Sequence, residues 1–419
     1  MAGLATFTPF LETVQGRNLI QMLENHQETS ADQLARDETF WYQIKNAYTV
    51  SPSIVNLNNG GVCPQPRVVQ EAVERYNRLS NETPSYYMWR ILDLGREPLR
   101  ENLAALAGCD AEEIAINRNS SEALETVIFG LRLKAGDEVV LTKQDYPNMI
   151  NAWKQRAHRD GIVLKWLNFD FPIEDKAQIV KTFTDAFTDK TKVVHITHMI
   201  NWVGQILPAK EIAQEAHRRG IEVLVDAAHT FAHIDYKIPD LECDYLGTSL
   251  HKWLCAPFGS GMLYVKKEKI KDLYPLFAAP EVESDDIRKF EHLGTRSFAI
   301  EQAIGQAIDF HHMIGSERKE KRLHYLKNYW IEKAKHLPGF QVFTSLKPEF
   351  GCAIALVGVQ GQEPQDLSQY LFKKHKIHTV AIEWENISGV RITPNVYTTT
   401  KDLDKLVAAL ETFCNDNNG

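Results

Sequence analysis

The 419-residue sequence predicts an α/β fold, with a mostly parallel seven-stranded sheet in a large domain and a smaller α+β domain after it. Three observations predict this. Between about residues 113 and 265, seven short apolar runs alternate with amphipathic stretches; strand, helix and strand repeated in this way give a parallel sheet covered on both faces. After about residue 300 the pattern changes to a long helical stretch followed by shorter strand-like runs. A chain of this length, 44% hydrophobic and 24% charged, can bury a sizeable core without disulfides or metal.

Taken in order, residues 1 to about 50 are polar, and LIQMLENH and DQLARDETFWYQIKNA carry apolar residues at helical spacing. Two glycines and two prolines make NLNNGGVCPQP (56–66) a turn-rich loop. EIAIN (113–117), EVVLT (138–142), IVLKWL (162–167), KVVHIT (192–197), IEVLVD (221–226), DYLGTS (244–249) and GMLYV (261–265) read as strands, with helices such as SEALETVIFGLRL and AKEIAQEAHRRG between them. The last two strands are joined by a short segment, which suits an antiparallel pair. One helical stretch is expected from Phe298 through Lys335. FQVFTS, CAIALVGV, HTVAI and GVRITP follow as strands with a helix among them, and DLDKLVAALETFC closes the chain as an amphipathic helix. The expected units are 1–54, an N-terminal helical segment joining the small domain; 55–297, the large domain; and 298–419, the small domain.

Lys and Arg number 47 against 55 Asp and Glu, a net charge of −8. An acidic balance gives no general pull toward nucleic acid or anionic membranes, so neither is expected as a partner. Cys63, Cys109, Cys243, Cys255, Cys352 and Cys414 are scattered and form no C-x-x-C pair, which reads as reduced thiols in a cytoplasmic protein. No apolar run is long enough to span a bilayer, and the opening MAGLATFTPFLETVQ lacks a basic leader and a full apolar segment, so no signal peptide is expected.

In open α/β sheets ligands bind beyond the carboxyl ends of the strands. Those ends carry Asn119-Ser120-Ser121-Glu122, Asp145-Tyr146, His198 with Asn201, Asp226 with His229, and Ser249-x-His251-Lys252. A carboxylate at Asp226 can keep a pyridine nitrogen protonated and make the ring an electron sink. A lysine at 252 in an apolar, partly desolvated site has a lowered pKa and forms imines readily. Alone, Asp226 would suit a helix cap and Lys252 a solvated surface.

Together, V-D-A-A-H (225–229) and T-S-L-H-K-W (248–253) resemble the class V aminotransferase family of pyridoxal-phosphate enzymes, fold type I. The similarity is to the branch that includes isopenicillin N epimerase-like proteins and, more distantly, cysteine desulfurases, and it covers the chain from about residue 55 onward. The resemblance implies pyridoxal 5'-phosphate as cofactor, Lys252 as Schiff-base lysine and proton shuttle, Asp226 on the pyridine nitrogen and His229 at the ring hydroxyl. It implies Ser120, Ser121, Ser249 and His251 as phosphate ligands. Serines at a helix start suit that role, because they cap it and its unpaired N–H groups favour an anion. Tyr146 takes the place of a residue stacked on the ring, which an aromatic can fill, although a core aromatic would look the same. T-H-M-I-N-W-V-G (197–204) resembles a family segment that puts Asn201 near cofactor or substrate. F-E-H-L-G-T-R (290–296) resembles one that reaches the neighbouring subunit's phosphate through Gly294 and Thr295, which implies a homodimer. Arg391 in G-V-R-I-T-P matches the clamp on the substrate α-carboxylate, as a guanidinium makes two parallel hydrogen bonds to a carboxylate. Asn59 and Gly60 border the substrate in relatives. Tyr86, Tyr87 and Arg90 could select the side chain or lie on the surface.

The function so implied is the transformation of an amino acid through a Lys252 Schiff base and a Cα carbanion. Aminotransferase comes first, with epimerase (racemase) or C–S lyase as alternatives. AIEWENISGVR (381–391) has no cysteine, which speaks against persulfide-forming desulfuration. From other classes, a nicotinamide dehydrogenase would need G-x-G-x-x-G, which is absent. A metal-dependent hydrolase could use His229-x-x-x-His233 or His195-x-x-His198, but there is no H-E-x-x-H and no acidic cluster at metal-ligand spacing, so no metal is expected. A non-catalytic binding protein would be expected to lose Lys252 or Asp226.

Overall fold

In the computed structural model, which describes residues 9–417, the seven expected strands form one sheet. They are β1 (Ile114–Asn117), β2 (Glu138–Thr142), β3 (Val163–Leu167), β4 (Thr191–Thr197), β5 (Glu222–Asp226), β6 (Tyr245–Ser249) and β7 (Gly261–Val265). The order across the sheet is β1-β7-β6-β5-β4-β2-β3. β7 runs antiparallel to both of its neighbours, and every other pair is parallel. β1, β6 and β7 are buried at every residue, as strands covered on both faces must be. One apolar layer includes Leu124, Val127, Trp153 and Leu224; the other joins Ile196 and Val225 to Ile354, Ile382 and the N-terminal Leu19 and Phe40. The second layer therefore fuses the sheet, the C-terminal unit and the N-terminal helices into one core.

The C-terminal unit holds an antiparallel sheet of β8 (Phe340–Val342), β9 (Ala355–Val359), β10 (Val380–Trp384) and β11 (Ile387–Ile392), in the order β10-β11-β9-β8. Helix Ser316–Ala334 receives the N-terminal helices: Arg322 pairs with Glu38 at 2.6 Å, and Arg318 Nη2 donates to His26 O at 2.7 Å.

Two expectations are corrected. The stretch from Phe298 through Lys335 is two helices, Phe298–Ile314 and Ser316–Ala334, because Gly315 adopts φ +91°, outside the helical region. The boundary at residue 55 is also not clean. Val55–Asn56 pairs in parallel with Ile377–His378, and Asn58 bridges Thr393, so the large domain's opening loop is sewn to the C-terminal unit. That pairing carries Gly60 and Gly61 to Arg391.

Among the described residues no helix is long and apolar enough to cross a membrane. None of the six cysteines is joined in a disulfide, and five of them are buried. The first eight residues, which bear on the signal-peptide expectation, lie outside the described residues.

Candidate active site

The parallel strands end side by side at Thr142, Thr197, Asp226 and Ser249, and the chain beyond these ends builds one pocket. Gly60, Ser120, Ser121, Tyr146, Asn201, His229, Ser249, His251, Lys252 and Arg391 all line this cavity of about 460 Å³. A larger cavity of about 770 Å³ opens on the far side of the 56–64 loop, walled by residues such as Ile54, Val62 and Phe372, and shares only Gly61 with it.

Asp226 closes β5 and is 5% exposed; its Oδ1 accepts the Ala228 N–H at 2.8 Å. Burial pushes its carboxyl up, the Ala228 N–H, His195 and Lys252 pull it back, and nearby Asp145 pushes it further up. Lys252 Nζ sits 3.0 Å from His229 Nε2 and 5.9 Å from the centre of the Tyr146 ring. Burial draws its pKa down from 10.5 to about 8, against the pull of Asp226 and with the help of Arg391. Burial also holds His229 well below the usual histidine range.

On one wall, Asn119 caps helix Ser120–Gly130 by accepting Glu122 N–H at 2.9 Å. Ser249 Oγ accepts the Ser120 N–H and donates to Ser120 Oγ, both at 2.9 Å, and Asn148 Nδ2 reaches Ser121 Oγ at 3.3 Å. His251 Nδ1 donates to Ser260 O at 3.0 Å. The cap loop rests on Gly261, where a Cβ would stand 2.5 Å from Asn119 N, so a side chain there would dislodge the loop. On the opposite wall Arg391 is 6% exposed. Its Nη1 donates to Asn201 O at 2.9 Å and its Nη2 to Asn58 Oδ1 at 3.1 Å. Burial lowers its pKa only to about 10, so it stays a cation at neutral pH. A Cβ on Gly60 would come within 3.2 Å of the guanidinium, so glycine lets loop and arginine touch.

A family model described as Aminotransferase class-V matches residues 55–406. The chain belongs to the class V aminotransferase family. It is similar to isopenicillin N epimerase of Streptomyces clavuligerus, 28% identical over 388 residues that cover 88% of this chain and 98% of that protein. A Synechocystis sp. protein named "Probable cysteine desulfurase" is 30% identical over 347 residues, covering 78% and 81%. An apo cysteine desulfurase structure from Thermococcus onnurineus NA1 has a TM-score of 0.79 at 21% identity, over 89% of this chain and 98% of that one, and shares the fold.

Class V aminotransferases are pyridoxal-phosphate enzymes, and this chain's pocket fits that cofactor. It presents an amine on one side and a helix start flanked by hydroxyls on another, and the buried Asp226 carboxylate lies near the amine. Arg391 Nε and Asn201 Oδ1 are buried with no hydrogen-bond partner in the protein, as expected of groups that await a polar ligand.

Not every singled-out residue reaches the pocket. Asn59 is fully buried and turned into the protein: its Nδ2 donates to Thr393 O at 2.9 Å and its Oδ1 accepts the Tyr397 hydroxyl at 2.6 Å. It fastens the loop that its neighbour Gly60 presents. Gly294 and Thr295 are exposed and lie outside the cavity of this chain. So do Tyr86, Tyr87 and Arg90, with Tyr86 53% exposed. The histidine pairs considered for metal are largely engaged within the protein, although His195 Nε2 is buried with no hydrogen-bond partner. His233 donates from Nδ1 to His229 O and accepts Ala353 N–H on Nε2, while His195 Nδ1 accepts the Trp153 indole N–H at 2.8 Å. Gly61, Asn148 and Trp202 were missed as pocket residues; Gly61 and Trp202 sit inside quoted motifs, but nothing local distinguishes them from their neighbours. Asp145, buried under three hydrogen bonds from Thr142 and Thr197 and pushed up to about 6, was seen only as a strand end.

Proposed function

We propose that this class V enzyme transforms an amino acid at Cα, with transamination as its reaction. The observation that carries the reading is the convergence of Lys252 and Arg391, an amine and a carboxylate clamp, on one cavity, with the buried Asp226 carboxylate near enough to Lys252 for each to bias the other's charge. When bound, pyridoxal phosphate supplies the electron sink for the pair left on Cα. Asp226 would hold the proton of the ring nitrogen. Ser120, Ser121, Ser249 and His251 grip the phosphate at the helix start. Tyr146, its ring centre 5.9 Å from Lys252 Nζ, would offer the cofactor an aromatic face. Arg391 takes the substrate α-carboxylate with its free Nε–H and remaining Nη hydrogens, while Asn58 and Asn201 hold the guanidinium in plane. This would orient the Cα–H bond toward Lys252, whose Nζ as a free amine would accept and move the Cα proton.

Epimerisation is the second reading, favoured by the similarity to isopenicillin N epimerase along 98% of that protein. Persulfide formation lacks support, because no cysteine lines the cavity among the described residues. Incubation of the purified enzyme with a panel of amino acids and a keto acid separates the outcomes. Transamination yields a new keto acid and amino acid, epimerisation exchanges Cα–H with deuterated water and loses optical purity, and elimination releases ammonia or a thiol. If none of these occurs with any amino acid, the reading fails. In the active pairing, Arg391→Leu is expected to lower kcat/KM by about 10²–10³-fold while cofactor remains bound, the scale of losing a charged hydrogen-bonding partner.

We further propose a cytoplasmic homodimer. The segment around Gly294 and Thr295 adjoins an exposed apolar stretch: Arg296 pairs with Asp93 at 2.6 Å, Gln302 Nε2 donates to Leu92 O, and Trp89, Ile91 and Leu94 are 45%, 42% and 72% exposed. Such a patch is suited to burial against a second copy. Sedimentation at micromolar concentration is expected to give twice the chain mass, and Leu94→Asp a shift toward the monomer; a monomeric wild type would reject the proposal.

A further inference from the structure

The residue that follows the lysine points to a device for keeping that lysine reactive. Trp253 is fully buried, and its indole Nε1 lies 3.3 Å from His229 Nδ1. An indole N–H can only donate, so His229 Nδ1 must offer its lone pair. The neutral ring then carries its proton on Nε2, the atom 3.0 Å from Lys252 Nζ. An N–H pointing at Nζ meets a lone pair only if the lysine is an uncharged amine; an ammonium would set two donors against each other. The indole is itself fixed. His233 stacks on Trp253 with ring centres 3.5 Å apart and planes at 17°, and both of its nitrogens are used, Nδ1 by His229 O and Nε2 by Ala353 N–H.

We infer that Trp253 is a positioning residue that locks His229 in its Nε2–H tautomer and so favours the uncharged amine of Lys252 over the ammonium. The inference rests on the reading of Lys252 as the residue that bonds the cofactor. The other groups facing Lys252 are Asp226, Arg391, Cys63, His251 and Tyr146, and none of them fixes the proton on His229.

The test uses the full-length chain freed of cofactor, with histidine side chains labelled with ¹⁵N and His229 assigned from the signals lost in His229→Leu. Wild-type His229 is expected to carry its proton on Nε2 alone. Trp253→Phe keeps the stack on His233 but loses the N–H, so Nδ1–H is expected to become populated. The pH midpoint for covalent attachment of added pyridoxal phosphate, read by visible absorbance, should rise by roughly one unit. In a His229→Leu background the same change should move the midpoint by less than about 0.3 unit, since the indole then has nothing to act through. A packing role alone would lower the melting temperature without moving either readout. Nδ1–H in the wild type overturns the inference with no variant needed, and so does an unchanged tautomer and midpoint in Trp253→Phe. Failure of the wild type to bond pyridoxal phosphate overturns the reading of Lys252 instead, and the nitrogen spectrum still decides the tautomer.

Discussion

Lys252→Ala is expected to lower turnover by at least about 10⁴-fold while the fold survives. Among the described residues the lysine is the only amine lining the pocket, and His229, Asp226 and Arg391 are near it, so no neighbour can take both roles proposed for it, bonding the cofactor and moving the Cα proton. Borohydride treatment followed by peptide mass analysis should fix cofactor mass on the wild-type peptide holding Lys252 and none on the variant. Activity within tenfold of wild type would remove Lys252 from the chemistry. The cofactor-free chain should show the opposite trend in stability. The folded-state pKa of Lys252, about 8, lies below its ordinary 10.5, so between these values the unfolded chain binds more protons and stability rises with pH. Near pH 7 the native chain carries the whole penalty. Lys252→Met is therefore expected to stabilise the cofactor-free chain there by up to about 3 kcal/mol, the size of such a shift, and by progressively less above pH 8. Urea unfolding across pH 7–10 measures this; a destabilised variant at pH 7 would show that the amine is not held against its charge.

Asp226→Asn should be nearly as severe in rate, on the order of 10³-fold in kcat, with the cofactor still attached to Lys252. An amide of the same shape can accept the Ala228 N–H but cannot hold a proton on the ring nitrogen by charge, so the electron sink weakens while binding and geometry persist. Cofactor absorbance in the variant should lose the spectral form that depends on a protonated ring. Wild-type kcat in Asp226→Asn would show that ring protonation is not supplied by Asp226. The stability sign is the reverse of that at Lys252. Burial raises the Asp226 carboxyl above its ordinary value, so the folded chain binds more protons in that window and stability falls as pH rises through it. Asp226→Asn should flatten that fall in the cofactor-free chain.

The seven central strands and the polar residues at their carboxyl ends were legible in the linear sequence because their signals are local. A strand buried on both faces is a short apolar run, and the break in that run marks where a ligand can sit. The order of the Asp226 and Lys252 motifs gave the family for the same reason. Other features depended on which distant segments meet. Gly60 lines the pocket and Asn59 does not, because Asn59 finds Thr393 and Tyr397, more than 300 positions away, and is consumed by them. Arg391 reaches the pocket because β11 closes an antiparallel sheet against β9 and the 56–61 loop is sewn to that unit. Trp253 reads as one more core aromatic until the fold sets its N–H against His229. Periodicity records how each segment buries its own apolar face; hydrogen-bond partners, tautomers and the division between lining and anchoring residues arise only when packing brings separate segments within 3 or 4 Å, and that information is not local.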